Sequence, residues 1–301
     1  MQLRPLLCAA LILPLALQAA HLNARRASPY WGAIAADADT GRILFADRAD
    51  RQAYPASVTK LMTMLLVLED IRDGFYTLET QMTGTVRASR EEPSIIGLKP
   101  GATMSVDDLL TAIMLKSAND AAVVLAENAS AIRAGRKEIT PDDLPAFIKR
   151  MNEKAQRLGM CDTRYESPNG LPPPKGSKRG FDVSTAADLV KLARACLARP
   201  ETLRYTSKKI AKVKVGGEEV GMVNHNNIMV KNKWKILNSK GESEVDGLKT
   251  GYIDAGGSSI VLTGSRAGHR AIVVVLGSDR APMRDTEARR LMLDALSALD
   301  N

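Results

Sequence analysis

The stretch YPASVTKLMTMLLVLED, residues 54 to 70, places the apolar body of a helix directly after a short polar turn. The run Leu61 to Leu68 predicts a helix buried in the core, and Pro55 suits the start of such a helix. Ser57 and Lys60 are three residues apart, so a helix would put both side chains on one face. Either Ser57 caps the helix while Lys60 reaches solvent, or Lys60 is the base that activates Ser57 as a nucleophile. The S-x-x-K spacing occurs often by chance, so the rest of the chain has to decide.

Composition places the chain among ordinary globular proteins. Its 301 residues, 45% of them hydrophobic and 25% charged, suffice for one large core or two linked ones. The formal net charge is +8, and lysines gather in SKKIAKVKV (207–215) and MVKNKWKILNSK (229–240). These runs are either the solvated face of hairpin strands or a surface attracted to an anionic envelope polymer. The low aromatic content, 4%, argues against nucleic acid as a partner.

The N-terminal segment MQLRPLLCAALILPLALQAAH has the parts of a secretory signal. Arg4 supplies the basic start, residues 6–17 the apolar stretch, and Ala19 and Ala20 the small residues before a cleavage site. We therefore predict a signal peptide at residues 1–20, too short for a comfortable membrane span, with an uncleaved anchor as the alternative. The mature protein is expected in the periplasm or cell-wall space, with no transmembrane segment after cleavage.

Two cysteines remain after that cleavage, Cys161 and Cys196. An oxidising compartment would let them pair, and two buried free thiols fit the sequence equally well. The three histidines are His21 at the cleavage site and His225 and His269 in surface-like, strand-rich contexts. A Ser-His-Asp triad is therefore not expected. No His, Cys and acidic residues have metal-ligand spacing, so we predict no metal and no cofactor.

The predicted elements begin and end with strands and have helices between them. WGAIAADADTGRILFADRAD (31–50) predicts a hairpin, and SSIVLTGSRAGHRAIVVVLGS (258–278) predicts another, followed by a C-terminal helix. Between them lie helical patterns, one of which starts at a capping box formed by Ser105 and Asp108. This order predicts an α/β (α+β) fold, in which both termini build one central antiparallel sheet that is flanked by helices and carries an inserted all-helical lobe. We expect a cleft where sheet and lobe meet.

The domain boundaries follow from the same order of elements. We predict one catalytic domain over residues 21–301, with its α/β part at about 28–76 and 205–301. The helical lobe covers about 77–204. No C-terminal β-domain is expected after the catalytic one.

Two further polar motifs fall at element junctions. LKSANDAA (115–122) interrupts an apolar helical region, and VDGLKTGY (245–252) enters the C-terminal strands. Taken alone, the first is helix punctuation and the second a strand with one glycine for close approach. Together with Ser57 and Lys60 they form S-x-x-K, S-x-N and K-T-G, spaced by about 60 and then about 130 residues. That ordered set is the signature of penicillin-binding proteins and β-lactamases.

Longer blocks extend the likeness from about residue 30 to the C-terminus. DADTGRILFADRADRQAYPASVTKLMT, RLGMCDTRYESPNGL and VDGLKTGYIDAGGSSIVLTG occur in family order. The chain closely resembles the serine D-alanyl-D-alanine carboxypeptidases, low-molecular-mass penicillin-binding proteins of peptidase type S11. The resemblance implies a β-lactamase/transpeptidase-like fold and a monomer. It also implies peptidoglycan stem peptides ending in D-Ala-D-Ala as substrate and β-lactam antibiotics as inhibitors.

The resemblance assigns the catalytic roles to four residues. Ser57 attacks the carbonyl between the two D-alanines and forms an acyl-enzyme. Lys60 is the base, and burial together with a nearby cation would keep its amine partly neutral. Ser117 relays a proton to the leaving amine, and Asn119 holds the peptide backbone.

The K-T-G motif supplies the binding side of the site. Lys249 provides the second cation and, with the Thr250 hydroxyl, holds the substrate carboxylate. Gly251 leaves room for the substrate along the strand. The backbone N–H groups of Ser57 and Tyr252 form the oxyanion hole. The Ser57 N–H lies at a helix N-terminus, where partial positive charge favours an anion.

Several features depart from the family or favour another function. The middle motif has Ala118 where relatives more often have glycine, and the loop GLPPPKGSKRGFDVST (170–185) is unusual. Glu166, three residues before Asn169, invites comparison with the deacylating glutamate of class A β-lactamases, although the surrounding TRYESPNGL matches the carboxypeptidase block. A D,D-endopeptidase that cuts peptidoglycan crosslinks is the main alternative. A penicillin-binding sensor without turnover is the non-enzymatic one.

Overall fold

The structure is a computed structural model and describes residues 29 to 300. The predicted signal peptide at residues 1–20 lies outside this range. None of the helices within it combines the length and apolar composition that a membrane span requires.

Nine strands and eight α-helices follow one another in residues 29–300. The strands are β1 Gly32–Asp37, β2 Ile43–Asp47, β3 Gln81–Thr83, β4 Thr103–Ser105, β5 Ile210–Val215, β6 Glu218–Val223, β7 Val245–Ile253, β8 Gly257–Arg266 and β9 His269–Ser278. The helices are α1 Lys60–Arg72, α2 Val106–Leu115, α3 Asn119–Arg133, α4 Asp143–Arg157, α5 Ala186–Leu197, α6 Glu201–Thr206, α7 Asn227–Val230 and α8 Ala281–Leu299.

Five strands form the central sheet in the order β2-β1-β9-β8-β7, and all neighbours are antiparallel. The first strand of the chain meets the last one in the middle of the sheet, where Ala35 lies opposite Val273. Both termini therefore build the sheet, and the predicted fold class is confirmed. The chain turns between β1 and β2 at Asp37, whose carboxylate accepts the backbone N–H groups of Asp39 and Thr40.

Both faces of the sheet are covered. Along β9, Val273 and Val275 belong to a cluster that packs against α8, while Ile272 and Val274 belong to the main core on the opposite face. Successive strand residues point to opposite faces, so a strand buried on both sides reads as the unbroken apolar run AIVVVL rather than as an alternation. The main core continues through α1 into the helical lobe.

The lobe between α1 and β5 is mostly helical. The side chain of Ser105 accepts the backbone N–H of Asp108 at the start of α2, as the capping box predicted. The lobe also contains the two-stranded ribbon β3–β4, in which buried Met82 and Met104 face each other. Strands of three residues show too little alternation to be found from sequence, so the all-helical description of the lobe was too simple.

The basic run 207–215 lies largely on the hairpin β5–β6, which is separate from the central sheet. Lys212 and Lys214 are exposed and Val213 between them is buried. The lysines therefore occupy the solvated face of a strand, one of the two interpretations of this run. Lys212 forms an ion pair with Glu219 across the hairpin at 2.8 Å.

Cys196 is a free cysteine in the core. Its thiol on α5 contacts the carbonyl oxygen of Leu61 at 3.7 Å, whereas Cys161 lies at the surface. The disulfide between these two residues, which the sequence left open, is not formed.

Candidate active site

Ser57 lies in a tight 3-10 turn, Ala56–Thr59, that directly precedes α1. The turn begins with Ala56 at a φ of 50°, a left-handed conformation that is unfavourable for alanine. The backbone N–H of Val58 closes it by donating to the Pro55 carbonyl at 3.1 Å. The turn holds the Ser57 side chain beside a cleft instead of leaving it as a helix cap.

Two glycines allow other segments to reach this turn. A Cβ atom on Gly251 would lie 2.6 Å from the Pro55 carbonyl oxygen and 3.1 Å from the Ser57 nitrogen. A Cβ atom on Gly170 would lie only 1.9 Å from the Ala56 carbonyl oxygen. The backbone of the Ser57 turn occupies the position that a side chain on Gly251 would take, while the predicted contact of Gly251 with substrate stays a prediction. Gly170 was not singled out.

Lys60 is completely buried at the first position of α1. Its Nζ donates hydrogen bonds to Ser57 Oγ at 2.9 Å, to Asn119 Oδ1 at 2.7 Å and to the Asn169 carbonyl at 2.7 Å. Burial, with a further contribution from the charge of Lys249, holds the pKa of Lys60 well below its ordinary value. The interpretation in which Lys60 reaches solvent is wrong. The sequence did not predict the Asn169 carbonyl as a partner of Lys60, because a motif specifies side chains and not backbone acceptors.

Lys249 is the second buried lysine of the site. From β7, its Nζ donates to Ser117 Oγ at 3.0 Å and to the Thr250 carbonyl at 2.9 Å. Burial and then the charge of Arg284 lower its pKa to about 7. Ser117 itself has a φ of 60°, a left-handed conformation at the junction of α2 and α3. The Ser57–Lys60 pair and the Ser117–Lys249 pair thus face one cleft from different elements.

Asn119 begins α3 and joins Lys60 to a neighbouring loop. Its Oδ1 accepts from Lys60, and its Nδ2 donates to the Glu92 carbonyl at 2.8 Å. Asp120, next in the chain, accepts backbone N–H groups from residues 96–98 of the same loop. Asp120 belongs to the motif LKSANDAA, which taken alone predicts helix punctuation. In the structure its carboxylate anchors the loop that carries Pro93 and Ser94 on the edge of the cleft.

The cleft has a volume of about 280 Å³. All of the predicted site residues except the two buried lysines line it. These are Ser57, Ser117, Asn119, Thr250, Gly251 and Tyr252. The Tyr252 side chain is 60% exposed, and its hydroxyl donates to Asp254 at 2.7 Å. Lys60 and Lys249 lie behind this surface, in contact with its two serines.

Among the lining residues that were not predicted, two carry titratable or charged side chains, His225 and Arg284. His225 is exposed, as its context suggested, but its position is on the cleft rather than on a remote surface. Although part of His225 is exposed, the protein around its imidazole removes some of the surrounding water. This desolvation and the charges of Lys249 and Lys116 lower the pKa of His225. Arg284 reaches the cleft from the first turn of α8, where it is buried and paired with Asp285 at 2.6 Å. Both lie outside the three motifs, so only the tertiary structure brings them to the site.

Glu166 does not lie on the cleft. Its carboxylate forms an ion pair with Arg164, and its backbone N–H donates to Asp182 at 2.8 Å. The glutamate that a class A β-lactamase would need is therefore absent from the residues that line the cleft. Within residues 29–300, no cluster of three or more His, Cys, Asp and Glu side chains could hold a metal ion.

Sequence and structure comparisons place these features among known proteins. The sequence profile of peptidase S11, described as D-alanyl-D-alanine carboxypeptidase, matches residues 23–280. The chain is 29% identical to D-alanyl-D-alanine carboxypeptidase DacF of Bacillus subtilis, over 88% of this chain and 61% of that protein. It is 32% identical to D-alanyl-D-alanine carboxypeptidase DacD of Escherichia coli, over 85% of this chain and 60% of that protein.

A solved structure shows a similar fold with an inhibitor bound. Penicillin-Binding Protein D2 from Listeria monocytogenes, in its ampicillin-bound form, superposes with a TM-score of 0.70 at 27% sequence identity, covering 91% of this chain and 99% of that one. The chain spans about 60% of the length of the two carboxypeptidases from Bacillus subtilis and Escherichia coli. Because the family profile covers most of its length, the chain belongs to the D-alanyl-D-alanine carboxypeptidase family, peptidase S11.

Proposed function

We propose that this chain is a serine D,D-carboxypeptidase that removes the terminal D-alanine from peptidoglycan stem pentapeptides. The observation that carries the proposal is the contact between Ser57 Oγ and the buried Nζ of Lys60 at 2.9 Å. A serine hydroxyl needs a base within hydrogen-bond distance to act as a nucleophile at neutral pH. A lysine with a lowered pKa can supply that base.

The acylation step uses the two serine–lysine pairs. Neutral Lys60 takes the Ser57 proton as Oγ attacks the carbonyl carbon between the two D-alanines. The backbone N–H groups of Ser57 and Tyr252 stabilise the resulting oxyanion. As the C–N bond breaks, the proton on Lys60 passes through the Ser117 hydroxyl to the leaving amine. Lys60 is then neutral again, and free D-alanine departs from a Ser57 ester.

Deacylation reverses the roles of the same groups. A water molecule attacks the ester carbonyl while Lys60 accepts one of its protons. The ester bond breaks, the proton returns to Ser57 Oγ, and a stem tetrapeptide with a free carboxylate leaves. Glu166 takes no part in this step, since it lies away from the cleft.

Residues around the Ser57–Lys60 pair recognise the substrate. Lys249 and the Thr250 hydroxyl attract the terminal carboxylate, and Arg284 adds positive charge at the same end of the cleft. Asn119 lies where its amide can contact the substrate backbone. Gly251 acts by letting β7 approach the Ser57 turn, which brings the Tyr252 N–H to the oxyanion.

The wider setting follows from this activity. We propose that the chain acts as one penicillin-binding catalytic domain over residues 21–301, as an exported monomer in the periplasm or cell-wall space. β-Lactam antibiotics would acylate Ser57, because their strained amide meets the same nucleophile and oxyanion hole as the substrate. The ampicillin-bound Listeria protein, of similar fold, supports this part of the proposal.

The test is mass spectrometry of peptidoglycan fragments after incubation with the protein, with Ser57→Ala as the control. We expect monomeric pentapeptides to lose one alanine with the wild-type protein and to stay intact with Ser57→Ala. Cleavage of crosslinked dimers in place of this loss would identify a D,D-endopeptidase. Labelling of Ser57 by a fluorescent penicillin without any change in the fragments would identify a sensor, and either result would overturn the proposal.

A further inference from the structure

A second cavity, of about 910 Å³, lies beside the catalytic cleft. Leu171 lines both cavities. At two further points the chain passes directly from one to the other: Pro93 borders the cleft and Glu92 the second cavity, and Gly170 borders the cleft and Asn169 the second cavity. The two spaces are therefore neighbours along a shared wall.

The inner surface of this cavity is mainly apolar. Its apolar lining residues are Val123 of α3, Leu144 and Ile148 of α4 and the three consecutive prolines 172–174. Arg179 also lines the cavity, and its guanidinium donates to the carbonyls of Leu171 and Pro172 at 3.1 and 2.6 Å. This arginine and the prolines give the loop a defined shape without a ligand.

The free charge at the cavity is positive. Arg90 and Lys175 both line it, and neither forms an ion pair within residues 29–300. Among the acidic residues, Glu166 is already paired with Arg164, and Glu91 accepts the side-chain amide of Asn169 at 2.8 Å. An amide leaves the charge of Glu91 in place, so Glu91 and Glu92 are two carboxylates without an ion pair in residues 29–300. Arg179 is a third such cation, because its guanidinium donates only to carbonyls, and the unpaired cations therefore outnumber the unpaired carboxylates.

We propose that this cavity binds the carboxylate-bearing residues of the stem peptide that precede the D-Ala-D-Ala terminus, an inference that rests on the proposed function. An extended residue spans roughly 3.5 Å, so three residues upstream of a bound D-Ala-D-Ala reach roughly 10 Å from the cleft. The γ-linked D-glutamate of stem peptides keeps a free carboxylate, which suits Arg90 and Lys175. The methylene chain of the diamino acid suits the apolar wall. The loop 170–185 thus becomes a specificity element.

The test compares two substrates in the wild-type protein, in Arg90→Gln/Lys175→Gln and in Lys178→Gln. One substrate is a full stem pentapeptide, and the other is an N-acetylated D-Ala-D-Ala dipeptide that ends before the cavity. The control residue Lys178 is exposed on the same loop and does not line the cavity. We expect the ratio of the two kcat/KM values to fall about 10-fold in the double variant, as for the loss of charge-assisted hydrogen bonds, and to keep its wild-type value in Lys178→Gln.

A binding measurement separates this inference from the proposed function. Fluorescence anisotropy of labelled L-Ala-γ-D-Glu-meso-diaminopimelate measures binding of this tripeptide to the cavity. The tripeptide contains no D-Ala-D-Ala, so the measurement does not depend on turnover. If the wild-type protein hydrolyses neither substrate, the carboxypeptidase assignment fails, while weaker tripeptide binding by the double variant still supports the cavity. Equal tripeptide binding in all three proteins, or an unchanged substrate ratio in the double variant, overturns the inference.

Discussion

Lys60 and Lys249 are basic side chains that are buried in the protein. Burial makes the charged form of each lysine costly and therefore lowers the pKa of each amine. For Lys60 the second cause is the charge of Lys249, and for Lys249 it is the charge of Arg284. The charge of Arg284 therefore favours loss of the proton from Lys249, and the charge of Lys249 favours loss of the proton from Lys60.

The pH dependence of acylation tests this coupling. The lysine base works in its neutral form, so the acylation rate rises with pH through the pKa of Lys60. Removing the Lys249 charge in Lys249→Gln should raise the pKa of Lys60, and the ascending limb should move to higher pH. The measurement is the second-order rate of labelling of Ser57 by a fluorescent penicillin between pH 5 and pH 10.

The control for this prediction is Lys99→Gln. Lys99 is exposed and lies outside the residues that line the cleft. This variant should keep the wild-type pH profile. A Lys249→Gln protein that is slower at every pH but has an unshifted limb would show that Lys249 only binds the carboxylate and does not tune Lys60.

Among the elements, the segment 165–170 is fixed to the start of α1 by one buried carboxylate. Asp182 accepts the hydroxyls of Thr59 and Ser167 at 2.7 and 3.2 Å. It also accepts the backbone N–H groups of Glu166 and Ser167 at 2.8 and 2.9 Å. Because Asn169 in this segment contacts Lys60, Asp182 supports the site from behind.

The pH dependence of stability tests the state of this carboxyl. Burial outweighs the hydrogen bonds and raises the pKa of Asp182 from 3.8 to about 6. The folded protein then binds this proton more tightly than the unfolded chain, so its contribution is present below about pH 4 and is lost as pH rises to about 6. Over that range, the free energy of unfolding of the wild-type protein should fall by about 3 kcal/mol relative to Asp182→Asn.

Urea unfolding of both proteins at pH 4.0, 5.0, 6.0 and 7.0 measures this difference. The comparison with Asp182→Asn cancels the other carboxyls, which titrate in both proteins. A constant difference across the four values of pH would mean that Asp182 stays ionised in the folded protein at all of them.

At the scale of the whole molecule, one continuous core joins the sheet to the helical lobe. α1 runs through this core, and its Leu61 carbonyl contacts the Cys196 thiol of α5. Burial raises the pKa of Cys196 to about 12, so the reactive thiolate is scarce at neutral pH. The reactivity of this thiol therefore reports whether the whole core is intact.

Thiol modification tests this packing. Iodoacetamide should leave Cys196 unmodified in the native protein and should modify it in denaturant without any reductant, as measured by peptide mapping. The expected change is from under roughly a tenth of the molecules to nearly all of them, because only global unfolding exposes the residue. If Cys196 became reactive in denaturant only after reduction, it would be held in a disulfide, contrary to the structure.

The sequence by itself determined the motifs of the candidate site and the outline of the fold. Ser57, Lys60, Ser117 and Lys249 lie in motifs whose short spacing is set by local backbone geometry, and the structure brings their side chains together. The strand and helix patterns at both ends predicted the antiparallel sheet, because apolar periodicity reflects which face of an element is buried. These features are local, so they can be read from neighbouring residues.

Only the tertiary structure decided which groups surround that chemistry. The Asn169 carbonyl on Lys60, the close approach at Gly251, and the positions of His225 and Arg284 on the cleft join segments far apart in sequence. The lowered pKa of Lys60 also depends on the tertiary structure, because its burial and its proximity to the charge of Lys249 exist only in the folded protein. A motif specifies side chains, whereas desolvation, backbone acceptors and long-range contacts arise from packing.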